Sequence, residues 1–263
     1  MIKNRGIIIE NLKKKDLKDF SLFIKKFFNF KILINNKYYK SSVFNSVFMK
    51  YQYWNKYNSS YNFKIIRDNK KNIILIHGYI PISNYDKQLE NKNIFLSLLI
   101  GSNKVNFPLF PISYSAITKM DKANFVYFIN PSFTPFMRYK KFDINKMNHH
   151  FSFSNKRKKF YISNIKNIKS RLKNLNNSTF NILNEKYINK LNLKSLFSDY
   201  IPHKSIGYLI NRYVKHPIYK YILYGCFDKN LKLKIILITR ELIYKSSKAI
   251  RIVEIVGKNK DII

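Results

Sequence analysis

The stretch that decides the fold is residues 61–101, YNFKIIRDNKKNIILIHGYIPISNYDKQLENKNIFLSLLIG. Residues 61–67 alternate as a strand does, and residues 68–71 (DNKK) have the composition of a tight turn. Residues 72–82 and 93–100 are apolar runs that we predict to be buried strands, the first of them bent near Gly78 and Pro81. Because a tight turn joins the first two strands, the stretch predicts an antiparallel meander.

Amphipathic helices are expected before this meander. Residues 16–28 carry large apolar side chains at helical spacing, and a second helix, with Ser41 as its predicted cap, is expected to run to Trp54. No G-x-G-x-x-G follows a strand and no G-x-x-x-x-G-K occurs, which argues against a doubly wound dinucleotide fold or a P-loop. The expected fold class is α/β, a mixed and largely antiparallel sheet flanked by helices.

The same plan recurs near the C-terminus. Helix, strand, turn, strand, strand and glycine follow one another in residues 208–257 as they do in the first copy. The interval from Gln52 to Arg212 is almost the same as the interval from Gly101 to Gly257. A chain of low complexity also repeats by chance, but the shared order favours a duplication whose second copy is incomplete. We predict a first domain over residues 1–153, a basic linker with helical pieces over 154–195, and the second module over 196–263.

The charge of the chain has two explanations. It has 263 residues, with 50 Lys and Arg against 14 Asp and Glu, so the formal net charge is +36. Lys outnumbers Arg 42 to 8, and the common residues Lys, Asn, Ile, Phe and Tyr share codons rich in A and T. Drift of the genome towards A and T therefore explains much of the charge, while a polyanion partner is the other explanation. In both cases the surface attracts anions.

Several classes of protein and site are disfavoured. One cysteine, Cys226, cannot make a disulfide scaffold. No run reaches the roughly 18 apolar residues of a membrane span, and the N-terminus lacks a signal-peptide pattern, so we expect a cytoplasmic protein. We expect no metal site, because His149 and His150 point to opposite faces of a predicted strand. His77 lies on an apolar strand and is expected to be a hydrogen-bonded core residue.

Four phrases of the sequence carry a resemblance that spans nearly the whole chain. They are FMKYQYW…YNFKII, IHGYIPISNYD, FINPSFTPFMRYKKFDINKMNHHF and YLINRYVKHPIYKYILYG…AIRIVEIVG. In their order, and in the order of the predicted elements, the chain resembles the acyl-CoA N-acyltransferase (GNAT) proteins of lipopolysaccharide O-antigen and capsule synthesis. The resemblance implies transfer of an acetyl or other acyl group from a CoA thioester to an amine. It also implies an amino sugar, carried on a nucleotide, as the acceptor.

The resemblance also implies site residues. In this family the fourth strand bulges and its backbone holds the pantetheine arm, which here implies Leu98, Leu99, Ile100 and Gly101. A pyrophosphate-binding turn should follow, and the sequence there is SNKVNFPLFP in place of R/Q-x-x-G-x-G/A.

Two residues further along fit the later part of the family pattern, and a third is a candidate from its chemistry. Asn130 follows the predicted fifth strand and is implied to contact the cofactor. Tyr139 is implied to be the general acid that protonates the departing thiolate, with Asp143 in place of the usual glycine. Asp86, one of only 14 acidic residues, is a candidate base for the acceptor amine.

Two non-enzymatic interpretations remain open. The basic run at residues 156–159 (KRKK) lies close to Phe151, Phe153, Phe160 and Tyr161, so phosphate attraction and base stacking are both available to RNA or a ribosome. The other alternative is a catalytically dead homologue that assembles with a partner enzyme. Stabilisation by acetyl-CoA would indicate the enzyme, and a steep dependence of affinity on salt would indicate the RNA binder.

Overall fold

The computed structural model describes residues 2–4, 7–28, 32–34, 37–39, 45–56, 58–89, 93–102, 109–120, 125–127, 179–191, 196, 204–244 and 247–257. The chain divides into two compact units, Met1–Lys146 and Met147–Ile263, called unit 1 and unit 2 below. Among the helices in these ranges, none is long and apolar enough to cross a membrane.

Unit 1 is built on a seven-stranded sheet. Its strands lie in the order β1-β2-β6-β7-β8-β9, with β5 beside β6, while β3 and β4 pair separately. Every pairing is antiparallel except that of β8 with β9, which is parallel. The meander predicted from residues 61–101 is confirmed as β6, β7 and β8. The strands are β1 (Ile2–Asn4), β2 (Ile7–Leu12), β3 (Ile32–Ile34), β4 (Lys37–Tyr39), β5 (Trp54–Asn55), β6 (Ser60–Arg67), β7 (Ile73–Pro81), β8 (Asn93–Gly101) and β9 (Phe125–Tyr127).

Helices cover both faces of this sheet. The helices are α1 (Leu17–Phe27), α2 (Ser46–Tyr53) and α3 (Leu109–Met120), with short 3-10 turns at Lys14–Asp16 and Ile82–Asn84. The ring of Phe20 on α1 packs against Phe63 of β6, with 5.1 Å between centroids. Ala116 of α3 is buried against Ile66 of the same strand. Since side chains at positions 63 and 66 of a strand point to opposite faces, α1 and α3 lie on opposite sides of the sheet.

The cap of α2 differs from the prediction. The side chain of Asn45 accepts hydrogen bonds from the N–H groups of Val47 and Phe48, at 3.0 and 3.1 Å, so Asn45 and not Ser41 begins the helix. Asparagine and serine are both favoured caps, and the sequence offered both within a few residues. The helix was therefore predicted correctly and its first turn was placed too early.

Arg67 ties the sheet to the start of α1. Its guanidinium is 2.8 Å from a carboxylate oxygen of Glu10 and 3.0 Å from one of Asp16, and it also donates to the carbonyl of Lys71 at 2.9 Å. Asp19 lies 3.6 Å away. The Arg67 side chain is only 10% exposed, so its charge is compensated inside the protein.

Unit 2 holds a four-stranded antiparallel sheet. The strands lie in the order β10-β11-β12-β13, and a short helix continues into one π-helical turn before β11. Both units are therefore α/β with largely antiparallel sheets and helices, as predicted. The elements are β10 (Thr179–Ile182), α4 (Glu185–Lys190), α5 (Ile206–Leu209), the π-helical turn Ile210–Val214, β11 (Tyr221–Phe227), β12 (Leu233–Tyr244) and β13 (Ser247–Gly257).

Part of the expected linker contributes to unit 2. Within residues 154–195, α4 is a helical piece of the kind predicted, but Thr179–Ile182 forms strand β10 and pairs along β11. The four residues of β10 alternate between polar and apolar but are all exposed, and so short an alternation does not mark a strand in a segment rich in Lys and Asn. The domain boundaries drawn from the sequence stay predictions.

The β6–β7 turn of unit 1 and the β11–β12 turn of unit 2 have the same hydrogen bonding. The N–H of Lys71 donates to the carbonyl of Asp68 at 2.9 Å, and the N–H of Leu231 donates to the carbonyl of Asp228 at 2.9 Å. Lys71 and Leu231 both have positive φ, 63° and 57°. The interval between these two positions equals that from Gln52 to Arg212.

The two sheets also share a strand irregularity. In unit 1 the β7–β8 register shifts between Gly78 and Tyr79 and leaves Ser97 as an extra residue of β8. In unit 2 the β12–β13 register shifts after Ile238 and leaves Val253 as an extra residue of β13. Each is a β-bulge. The extra residue, Ser97 or Val253, lies four residues before the glycine that ends its strand.

Candidate functional site

The candidate site is the edge of β8 that faces β9. The two strands pair in parallel over Asn93–Phe95, through partners Phe125–Tyr127. β8 then continues to Gly101, whereas no described residue pairs with this edge beyond Phe95. A parallel strand that pairs along only part of its neighbour leaves backbone groups facing a gap, and an extended ligand can bind to them as a strand would.

The hydrogen bonding to β7 shows which groups face that gap. The N–H of Ser102 donates to the carbonyl of Ile74 at 2.8 Å, so the backbone groups of Ser102 point towards β7. Backbone direction alternates along a strand, so the N–H and C=O groups of Leu99 and Gly101 point away from β7. Two donors and two acceptors therefore lie along the open edge.

A buried hydroxyl lies at the end of the same strand. The side-chain oxygen of Ser102 is shielded from solvent and meets no hydrogen-bond partner among the described residues. An unpaired buried hydroxyl costs about 1–3 kcal/mol, so a ligand that bonded to it would recover part of that cost.

The bulge in β8 is supported from the α1–α2 face. The Tyr53 hydroxyl, at the end of α2, donates to the Ser97 hydroxyl oxygen at 3.1 Å. Gly78 lies opposite the bulge, and a Cβ there would be 2.6 Å from the ring of Phe63 and 3.1 Å from Ser97 Oγ. The Phe63 ring in turn packs on Tyr53, with 4.4 Å between centroids. The rings of Phe63 and Tyr53 therefore pack beneath the bulge. They leave room only for glycine at position 78.

On the other face, α3 is joined to the sheet by a buried polar contact. The Nδ1 atom of His77 lies 2.9 Å from the Ser113 hydroxyl oxygen, and that hydroxyl donates to the carbonyl of Phe110 at 2.9 Å. The Ser113 oxygen therefore accepts a hydrogen bond from Nδ1–H of His77. Burial lowers the pKa of His77 to about 3. The prediction of a hydrogen-bonded core histidine is confirmed, and its cross-strand partner is Leu99 of the open edge.

Comparisons with known proteins give a weak similarity of structure. No family model and no curated relative matches the chain. Two crystal structures of Saccharomyces cerevisiae N-myristoyltransferase, one with bound myristoyl-CoA and inhibitors and one with bound myristoyl-CoA, are similar to it with TM-scores of 0.45 and 0.46 and 10% identity. The alignments cover 98% of this chain but 65% and 64% of the myristoyltransferase chains. We therefore infer function from the geometry of the chain itself.

The residues proposed from the sequence fall into two groups. Leu98, Leu99, Ile100 and Gly101 lie together on β8, next to the bulge and along the open edge. Asn130 and Tyr139 lie outside the described residues.

Asp86 takes part in a local turn. Its carboxylate accepts a hydrogen bond from the Gln88 N–H at 2.9 Å, in the segment between β7 and β8. Its role as a base stays a prediction.

Three side chains near the site were missed by the sequence analysis. Tyr53, Ser97 and Ser113 hold the bulge and α3 in place, but none stands in a recognisable motif. Tyr53 is far from Ser97 in sequence, and His77 is far from Ser113, so only the folded chain brings these partners together. Among the described residues, no group of three or more His, Cys, Asp or Glu side chains is arranged to hold a metal ion.

Proposed function

We propose that unit 1 is an acyl-CoA-dependent N-acyltransferase of the GNAT type. The observation that carries the proposal is the open edge of β8, where a bulge at Ser97 is followed by outward-facing backbone groups at Leu99 and Gly101. The order of elements supports it: apart from the short strands β3, β4 and β5, a strand, two helices and three antiparallel strands follow one another as the sequence resemblance implies.

The residues present fit a pantetheine arm. Its two amide groups need donors and acceptors spaced as in a strand, and Leu99 and Gly101 offer such backbone groups. The unpartnered hydroxyl of Ser102 would bind the next polar group along the arm. When bound, acyl-CoA would supply a thioester whose carbonyl carbon an amine can attack.

Two of the proposed site residues follow from the sequence resemblance, and the third is a candidate from its chemistry. We propose Tyr139 as the general acid for the departing thiolate, Asn130 as a cofactor contact and Asp86 as the base for the acceptor amine. The acceptor proposed is an amino sugar carried on a nucleotide, in a cytoplasmic step of surface-polysaccharide synthesis. The resemblance of sequence phrases supports this acceptor, and the net charge of +36 is compatible with an anionic substrate.

We further propose that unit 2 is a second copy of the strand-and-helix module of unit 1. The matching backbone hydrogen bonds of the two turns and the matching bulges support a duplication. So do the helix caps, since Asn45 begins α2 and Ser205 begins α5, at the same interval that separates the two turns. Two tyrosines, Tyr53 and Tyr213, follow at the same distance from their caps.

Thermal or urea unfolding followed by the fluorescence of Trp54 tests the enzyme proposal. Trp54 is the only tryptophan of the chain and lies in unit 1, so the signal reports on that unit. We expect acetyl-CoA or a longer acyl-CoA to raise the stability of unit 1, because a ligand of the folded state shifts the equilibrium. No stabilisation by any thioester, together with RNA binding that weakens steeply with salt, would overturn the proposal.

The Ser102→Ala variant tests the site itself. Without ligand we expect the variant to be more stable by about 1 kcal/mol, because an unpaired buried hydroxyl is removed. With acyl-CoA we expect about tenfold weaker binding, because the ligand loses a partner. The matched control is Ser21→Ala on α1, which should leave acyl-CoA affinity unchanged. Equal affinity in Ser102→Ala and wild type would remove Ser102 from the site.

A further inference from the structure

Three of the eight arginines of the chain lie in one part of unit 2. Arg212 belongs to the π-helical turn, Arg240 to β12 and Arg251 to β13. Lys is five times as common as Arg in this sequence, so three arginines in one place are unexpected from composition. Arginine differs from lysine in its planar fork, which binds the oxygen atoms of an oxyanion in pairs.

Two of these arginines oppose each other directly. Arg240 and Arg251 are cross-strand partners in the β12–β13 ladder, so their side chains leave the same face of the sheet a few ångströms apart. Like charges in this position destabilise a sheet unless an anion lies between them. The Nε atom of Arg240 is buried and meets no hydrogen-bond partner among the described residues.

Aromatic rings surround the guanidinium of Arg240. It lies 4.3 Å from the centre of the Tyr219 ring, and its partner on the other side of the ladder is Tyr221. His216 stacks on Tyr219, with 4.9 Å between centroids. Its Nδ1 accepts from the Tyr219 N–H at 2.9 Å, which leaves Nε2 as the nitrogen that can donate.

Arg212 reaches the same group of rings from the helix. Its guanidinium lies 5.4 Å from the centre of the Tyr213 ring, and the Tyr213 and Tyr221 rings are 5.1 Å apart. Burial, then Arg212 and then Arg240, lower the pKa of His216 to about 4. Both guanidiniums therefore contribute positive potential at one histidine.

The carboxylates of unit 2 pair with lysines. Among its described residues four carboxylates occur, and each forms an ion pair with a lysine: Glu185 with Lys215, Asp228 with Lys234, Glu241 with Lys248 and Glu254 with Lys204. In unit 1, by contrast, Arg67 is surrounded by carboxylates. None of these ion pairs involves Arg240 or Arg251, so an anion bound between these two must come from outside the described residues.

We propose that Arg212, Arg240 and Arg251 form a binding site for a phosphate group. Arg240 and Arg251 bind the phosphate oxygens between their forks, and Arg212 adds charge from the helix. Tyr219 and Tyr221 hold the Arg240 fork in its plane and exclude water from one side. The site does not depend on the acyl-CoA proposal for unit 1.

Titration of the full chain with small phosphates tests the proposal. The probes are inorganic phosphate and glucose 1-phosphate, measured by calorimetry at an ionic strength of about 0.15 M, where long-range attraction is screened. We expect saturable binding of at least one probe, and the tighter of the two identifies a free ion or a phosphate ester as the preferred source. Absence of binding to both would overturn the proposal.

Matched variants distinguish a built site from the general positive charge. We expect R240Q and R251Q each to weaken phosphate binding at least about tenfold, and R240K to weaken it as well because the fork is lost. K248Q removes the same charge from an exposed position of β13 and should change affinity less than about twofold. Because Arg251 is exposed, R251Q is expected to keep the fold.

Two results would contradict the site. The first is an equal loss of affinity in K248Q and R251Q, which would show attraction to the net charge alone. The second is a short single-stranded RNA that displaces the small phosphates and binds R240Q as tightly as the wild type. Such an RNA would be bound elsewhere on the chain, through its many phosphates.

Discussion

The bulges of unit 1 and unit 2 have the same kind of register shift, but different side-chain contacts hold them in place. At the first, the Tyr53 hydroxyl donates to the neutral hydroxyl of Ser97. At the second, the Tyr213 hydroxyl donates to the carboxylate of Glu254, which also pairs with Lys204. A hydrogen bond to a carboxylate is the stronger kind, so unit 2 holds its bulge with charge while unit 1 holds it with packing and neutral groups.

The arginines differ in the same way. Arg67 of unit 1 has its charge compensated by Glu10, Asp16 and Asp19, and thereby joins the sheet to α1. Arg240 of unit 2 lies beside Arg251 and aromatic rings. The same residue type is thus structural in one unit and placed for a ligand in the other. Two sheets with matching turns and bulges can therefore differ in the chemistry of their polar groups.

The largest expected effect comes from removing each arginine with the same substitution. Arg67→Met should destabilise unit 1 by about 3 kcal/mol, because Asp16 and Glu10 then lose their partner in a largely buried setting. Arg240→Met should change stability by less than about 1 kcal/mol, because it also relieves repulsion with Arg251. Urea unfolding measured by Trp54 fluorescence reports the first, and far-UV circular dichroism of the whole chain reports the second. Equal losses would show that the two arginines have the same role.

The next largest expected effect is a loss of folding stability as the pH falls. The pKa of His77 is lowered by burial to about 3 in the folded state, against about 6.5 when unfolded. The unfolded chain therefore takes up a proton first, so the stability is complete above pH 6.5 and falls as the pH decreases from there towards 3. The loss is at most about 1.4 kcal/mol per pH unit, or about 2 kcal/mol between pH 6.5 and 5.

The His77→Gln variant isolates this titration. An amide at position 77 can still donate to the Ser113 oxygen but does not take up a proton. The difference in stability between wild type and variant, followed by Trp54 fluorescence, should shrink as the pH falls from 6.5 to 5. A difference that stays constant over this range would show that His77 does not titrate as proposed. Carboxylates common to both proteins cancel in the comparison.

Much of the fold could be predicted from local pattern. The strands β6, β7, β8, β11, β12 and β13 are apolar runs bounded by turn residues or glycine, and hydrophobic periodicity finds such elements. Strand β10 was missed because four residues, Thr-Phe-Asn-Ile, are too short an alternation to stand out in a segment rich in Lys and Asn; its pairing with β11 defines it. The cap of α2 was misplaced because Ser41 and Asn45 have the same capping chemistry.

The candidate site could be predicted only in part. The stretch from Leu98 to Gly101 was found through a family pattern in which the fourth strand bulges, and the structure has that bulge beside it. The contacts that hold the bulge depend on long-range packing, such as the Phe63 ring over Gly78, and spacing in sequence carries no trace of them. The arginine cluster of unit 2 was missed for the same reason, since its members come from three different elements.

The smallest expected effect tests whether the two turns are equivalent. Lys71 and Leu231 both adopt positive φ, which disfavours a residue with a side chain. Lys71→Gly and Leu231→Gly should each stabilise their unit by about 0.5 kcal/mol, the relief of strain being partly offset by the greater freedom of glycine when unfolded. Lys70→Gly, next to the first position and without positive φ, should instead destabilise unit 1. Trp54 fluorescence reports the two variants of unit 1, and circular dichroism reports Leu231→Gly. If glycine raises the stability at one turn and lowers it at the other, the two turns differ in backbone strain despite their matching hydrogen bonds. The turns would then no longer support the duplication.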